Sequence, residues 1–268
     1  MIDELSLGIT LVPAKVRAAT ELVRFIRTFD VPDKLHPLKH LVWSKLSYVL
    51  GYLHPTNTPF DAAIELKLQE TFFDYMWTIP LVEVVDRIGN AEIDPDIGFD
   101  DLAQRLNDGS SRYAHEIRSF AQAYAAEIRG AIDLLAPTAV DYVFHLAEKE
   151  LGAVPELSPA QRNASENQWK NVLFGAFKKE ETKRVLPTMH IEALLHASIR
   201  WDKKRKLRGN DIYDFNHATA ALPYCKAFLT DQPLALLITA NHLRLDKQFG
   251  CRVVAKVNEA IEFLKTLH

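Results

Sequence analysis

Two short apolar runs near the C-terminus, CKAFLT at 225–230 and CRVVA at 251–255, constrain this chain more than any other feature. Each is too short for an ordinary helix and suits a strand. Between them Asp231 and Pro233 open a helix, with the proline tolerated in its first turn. Leu234, Leu237, Ile238 and Leu245 extend it as one apolar stripe until Gly250 ends it. Strand, helix and strand within about thirty residues predict a βαβ unit with parallel strands and a right-handed crossover. The near-continuous apolar character of both runs predicts helices on both faces of the sheet. Upstream, Asp214 suits the N-cap of a short helix carrying Phe215, Ala218, Ala220, Ala221 and Leu222, which Pro223 stops. Downstream, Asn258 caps a closing helix through Ile261, Phe263, Leu264 and Leu267.

Ligands of parallel sheets collect at the carboxyl ends of the strands. Asp231 sits at that end of the first strand, and Asp214, one short helix earlier, can lie beside it. An Asp opening a small-residue helix, followed about seventeen residues later by a strand ending Thr-Asp, resembles the C-terminal half of PIN-like domains, in particular a helix-rich bacterial group. The resemblance rests on NDIYDFNHATAALPYCKAFLTD, CRVVA and NEAIEFLKTL and covers roughly 187–268. It implies a helix-rich α/β fold with a small parallel sheet in three layers, and a metal-dependent ribonuclease. Asp214 matches the family's third acidic position and Asp231 its fourth, with Asp211 as an extra ligand. Glu65, Glu70 and Asp74 are the candidates for the second acidic position, Glu65 and Glu70 ahead of Asp74, and a solvated helix face explains all three equally. The family's opening strand ending in Asp has no counterpart in MIDELSLGITLVP.

The chemistry so implied is phosphodiester hydrolysis by carboxylates holding one or two Mg²⁺ or Mn²⁺ ions, hard cations that prefer oxygen ligands. Between Lys178 and Arg208 ten Lys or Arg stand against four acidic residues, although the whole chain carries a net charge of −3. The dense part is Arg200, Trp201, Lys203, Lys204, Arg205, Lys206 and Arg208. It suits neutralisation of phosphates beside the cations, with Trp201 as a base-stacking face. A solvated helix end explains the same cluster, since basic residues favour the C-terminus of the helix dipole. His217 and Thr230 are supporting residues near the carboxylates; for His217 a packing role weighs equally, and for Asp211 simple capping weighs slightly more than ligation. RNA is the partner implied, and a toxin-like member would also meet a cognate inhibitor protein. The alternative is a catalytically inactive PIN-like module that binds RNA or protein.

The N-terminal two-thirds reads as helices. Val16, Ala19, Leu22, Val23 and Ile26 form one stripe, and Ala63, Ile64, Leu68, Phe72 and Tyr75 a second. A third runs from Tyr113 through Ile128 to Leu135, and a fourth takes Val140, Val143, Phe144 and Ala147. The fifth, with Trp169, Leu173 and Phe177, opens on the capping-box pattern Ser158 to Gln161. The acidic stretch 89–110 reads as a loop and marks an internal boundary, dividing 1–100 from 101–268. No apolar run approaches the length of a membrane span, and the start shows no basic segment followed by an apolar one. Cys225 and Cys251, on the two predicted strands, read as free thiols of a cytoplasmic protein. Arg184 and His190 match a spacing seen in HEPN-type ribonucleases, but Pro187 between them breaks the helix that motif needs.

Overall fold

A computed structural model describes residues 14–27, 99–152 and 156–266, with isolated positions 60, 64, 67, 68 and 71. Its elements in chain order are α1 Ala14–Arg27, α2 Phe99–Arg112, α3 Phe120–Leu151, α4 Pro159–Ala176, α5 Glu180–Val185, α6 Pro187–Trp201 and α7 Gly209–Tyr224. Then follow β1 Ala227–Leu229, α8 Gln232–Thr239, α9 Leu245–Phe249, β2 Arg252–Val254 and α10 Val257–Lys265. The fold is helix-rich α/β, with one small sheet among the described residues. β1 and β2 pair in parallel, Phe228 opposite Val253, and both fall inside the predicted runs. Asp231 is the N-cap of α8, its Oδ1 accepting from the Leu234 amide at 3.0 Å.

The predicted helix from 231 to 249 breaks in two, and burial explains why. Leu234, Ile238, Leu243 and Leu245 are all buried. In one helix, Leu243 and Leu245 would point about 200° apart. A turn at 240–244, closed by Arg244 in the left-handed conformation (φ 48°), brings both inward. Gln248 Nε2 then donates to the Leu243 carbonyl at 2.7 Å. Gly250 (φ 69°) ends α9, where a positive φ favours glycine.

Two clusters of buried side chains hold the molecule. One joins α6 and α7 to α8, α9 and Cys251 through Leu195, Phe215, Leu222 and Ile238. The other packs α1, α3 and α4 on the first part of α6 through Leu22, Ile132, Leu173 and Met189. The third and fourth predicted stripes are one helix, α3, which runs through Pro137 and starts only at Phe120, capped by Ser119. The capping box at Ser158 and Gln161 forms as expected. Phe99–Arg112 is helical where composition suggested a loop. Asp100 and Asp101 lie in its first turn, where a negative charge favours the helix dipole. The second predicted stripe lies largely outside the described residues. Both cysteines are free, Cys251 buried and Cys225 half-buried. No described helix is long and apolar enough to cross a membrane.

In α1 the buried face differs from the predicted stripe. Val16 is 52 % exposed, whereas Arg17 and Glu21, one turn apart, are 1 % exposed. Arg17 donates to the Asn216 carbonyl at 2.9 Å and to Thr219 Oγ1 at 2.6 Å in α7. Glu21 accepts from the Thr188 amide at 3.0 Å, from Thr188 Oγ1 at 2.6 Å and from the Tyr224 hydroxyl. An acid from α1 thus serves the start of α6, whose own N-cap residue, Leu186, offers no side-chain acceptor. Pro187 occupies the first turn of α6, so the Arg184–His190 segment is not one continuous helix.

Candidate functional site

Asp214 lies in the second turn of α7, not at its N-cap, because the helix begins at Gly209. The helix starts there because α2 holds the preceding loop. Asn107 accepts from the Leu207 amide at 2.9 Å and donates to the Leu207 carbonyl at 2.8 Å. Leu207 itself is buried. Asp100 accepts from the Gly209 amide at 3.2 Å. A Cβ on Gly209 would meet Asp100 Oδ1 at 2.5 Å and the Asp100 backbone nitrogen at 2.9 Å, so only glycine permits this approach. Asp211 accepts from the Arg208 amide at 2.8 Å and from Arg205 at 2.7 Å. Both its oxygens are engaged in fixing the loop, and capping is therefore its observed role. Phe99 stacks edge-on against Tyr213, centroids 4.1 Å apart, and ties α2 to α7 a second time.

Asp211, Asp214 and Asp231 line one hollow of about 900 Å³, with Lys204, Arg205, Lys206 and Arg208 on the same wall. Partial burial raises the Asp214 carboxyl above the usual range, the nearby charges of Asp231 and Asp211 push it further, and His217 opposes them. Asp214 Oδ2 accepts from Asn210 at 3.2 Å. Asp214 Oδ1 and Asp231 Oδ2 have no hydrogen-bond partner among the described residues. Asp214 and Asp231 are the residues here that could hold a hard divalent cation, which prefers oxygen ligands. No group of three His, Cys, Asp or Glu able to hold a metal occurs among the described residues. Glu65, Glu70 and Asp74 lie outside them.

A second hollow of about 600 Å³ adjoins Asp214 and is lined by His217, Thr230 and the apolar strand end Phe228–Leu229. Both supporting residues therefore sit beside Asp214. Thr230 is fixed by its amide, which donates to the Val254 carbonyl at 3.0 Å. The basic strip divides. Lys204 and Arg208 face the carboxylate hollow, Lys203 and Arg200 face a third hollow, and Arg205 and Lys206 line both. Arg200 is paired with Glu127 at 2.9 Å. Trp201 is 41 % exposed and lines none of these hollows.

Asp100 and Asn107 fix the loop before α7, and sequence reading missed them because 89–110 read as loop. The spacing of Leu102, Ala103 and Leu106, with Asp100 and Asp101 in the first turn, is the local sign of α2. Asn107→Ala removes both hydrogen bonds to Leu207 and leaves a buried amide and carbonyl unpaired. It should cost about 1–3 kcal/mol in urea unfolding and speed amide exchange at Leu207. No protein-family model, curated protein or solved structure matches the chain.

Proposed function

We propose that the chain is a divalent-cation-dependent ribonuclease whose residues 187–268 form the C-terminal half of a PIN-like domain. The observation that carries this reading is that Asp214 of α7 and Asp231, the N-cap of α8 just after β1, line one hollow together with basic side chains. Asp214 and Asp231 would hold the cation, Mg²⁺ or Mn²⁺. Once bound, such an ion polarises a phosphoryl oxygen and lowers the pKa of a coordinated water. The chain's own groups do the rest. Lys204 and Arg208 neutralise and orient the phosphodiester. Asp211 holds Arg205 in place. His217 opposes the charge repulsion at Asp214 and so favours its ionised form.

A second reading, RNA binding without cleavage, is favoured by the lack of a third converging ligand among the described residues. One experiment separates the two. Purified protein is incubated with labelled single-stranded RNA, with Mn²⁺, with Mg²⁺ and with chelator, and both cleavage and retention are read. Metal-dependent products support the ribonuclease. Retention without products under either metal overturns it in favour of the binding module. Neither products nor retention would overturn both readings.

A further inference from the structure

The third hollow, about 510 Å³, opens on the far side of loop 202–208 between α2, α3 and the end of α6. Its charge differs from that of the carboxylate hollow. There, four cationic residues face four aspartates, Asp202 included. Here, Arg105, Arg200, Lys203, Arg205 and Lys206 face Glu127 and Asp202 as the acidic side chains among the described lining residues. Glu127 is spent on Arg200, and Arg205 is spent on Asp211. Arg105, Lys203 and Lys206 have no ion-pair partner among the described residues. The Nε of Arg200 is buried there without a hydrogen-bond acceptor. The last turns of α2 and α6 supply carbonyls that draw cations to this place, yet with Arg200 and Arg205 paired, three basic side chains still stand against Asp202 among the described lining residues. Tyr113, 45 % exposed, adds a ring at the rim, and Ser110 adds a hydroxyl.

Asp202, Arg205, Lys206 and Leu207 line both hollows, so the loop is the wall they share. Asn107 and Asp100 pin that wall in place. We propose that this basic hollow binds a backbone phosphate of single-stranded RNA next to the one over Asp214 and Asp231, with the strand straddling loop 202–208 and a flanking base stacked on Tyr113. This rests on the nucleic-acid reading above and adds to it that the helical α2–α3 region takes part in substrate binding. A strand, rather than a free nucleotide, is the ligand that reaches both hollows at once.

The test measures binding, not cleavage. Full-length protein is titrated against a fluorescein-labelled ten-nucleotide oligouridylate in chelator, by fluorescence anisotropy at several salt concentrations. Arg105→Ala with Lys203→Ala should weaken binding about tenfold and lower the salt slope by about 0.7 for each phosphate no longer neutralised. Lys178→Ala with Lys179→Ala removes the same charge on an exposed segment away from the hollow and should leave both nearly unchanged. Arg105 and Lys203 are themselves exposed, so their removal should not unfold the chain. Circular dichroism checks this, and Arg105→Lys with Lys203→Arg should restore most of the affinity. Equal weakening by the two alanine pairs, or none by the first, overturns the proposal. Uridine monophosphate binding as tightly as the ten-mer overturns the claim of a strand. These results are independent of cleavage: a chain that never cuts RNA but loses binding with Arg105 and Lys203 keeps this site, and a cutting enzyme indifferent to them loses it.

Discussion

Replacing Asp214 with Asn should reduce metal-dependent RNA cleavage by about 100-fold or more, since a bound cation supplies several kcal/mol of charge stabilisation. The substitution is nearly isosteric. An amide oxygen can still accept from Asn210, which now donates to Asp214 Oδ2, so the local packing survives. What disappears is the negative charge that a cation needs. Asp214 lies within α7 and is not its cap, so no helix start is lost. The sign of the stability change follows from its surroundings. Partial burial, Asp231 and Asp211 raise its carboxyl above the usual range, so the folded chain holds the ionised form less readily than the unfolded chain does. Asp214 therefore costs stability above the unfolded carboxylate range, and Asn should be equal to wild type or more stable at neutral pH. Anisotropy in chelator should show RNA binding retained or tightened, because a charge facing phosphate is gone. A variant that cuts RNA at the wild-type rate would remove Asp214 from the reaction.

Glu21→Ala should destabilise the fold by several kcal/mol, since each buried donor left without its acceptor costs about 1–3 kcal/mol. Marginal stability makes that a large fraction of the total. Three donors from α6 and α7 lose their acceptor, and Arg17 stays buried beside them. Urea unfolding reads the loss as a lower midpoint with an unchanged slope. The same residue gives the stability a pH dependence. Burial pushes the Glu21 carboxyl from 4.5 up to about 7, and the hydrogen bonds from Thr188 and Tyr224 and the charge of Arg17 offset this only in part. Between those values the folded chain keeps a proton that the unfolded chain has released. The contribution is therefore full below about pH 4.5 and is lost as pH rises through about 7. Glu21→Gln, which cannot ionise, should flatten that part of the profile. A profile unchanged by Gln would assign the slope to another group.

The local pattern of the chain determined those features that depend on a few consecutive residues. Both strands sit inside their apolar runs, Asp231 caps α8, and Ser158 with Gln161 caps α4. Each of these is written in period, propensity or a capping side chain within four positions. The sequence separation of Asp214 and Asp231 pointed to their lining one hollow, although the place of Asp214 within its helix was not legible. The start of α7 is fixed by Asp100 and Asn107, about a hundred residues upstream, and no local pattern encodes a hydrogen bond across that separation. The same holds for the inward turn of Arg17 and Glu21. Taken alone they read as solvated charges, and partners 167 to 203 residues away make them core. Helix α8 stops short of Leu243 because Leu243 and Leu245 must both reach one buried cluster, which one helix cannot arrange. The basic strip was visible as composition, but only the packing of α2 against it split it into one side facing carboxylates and one facing open cationic space. Periodicity sets which elements form, whereas burial and long-range hydrogen bonds decide where they begin, which face turns inward and what meets across the fold.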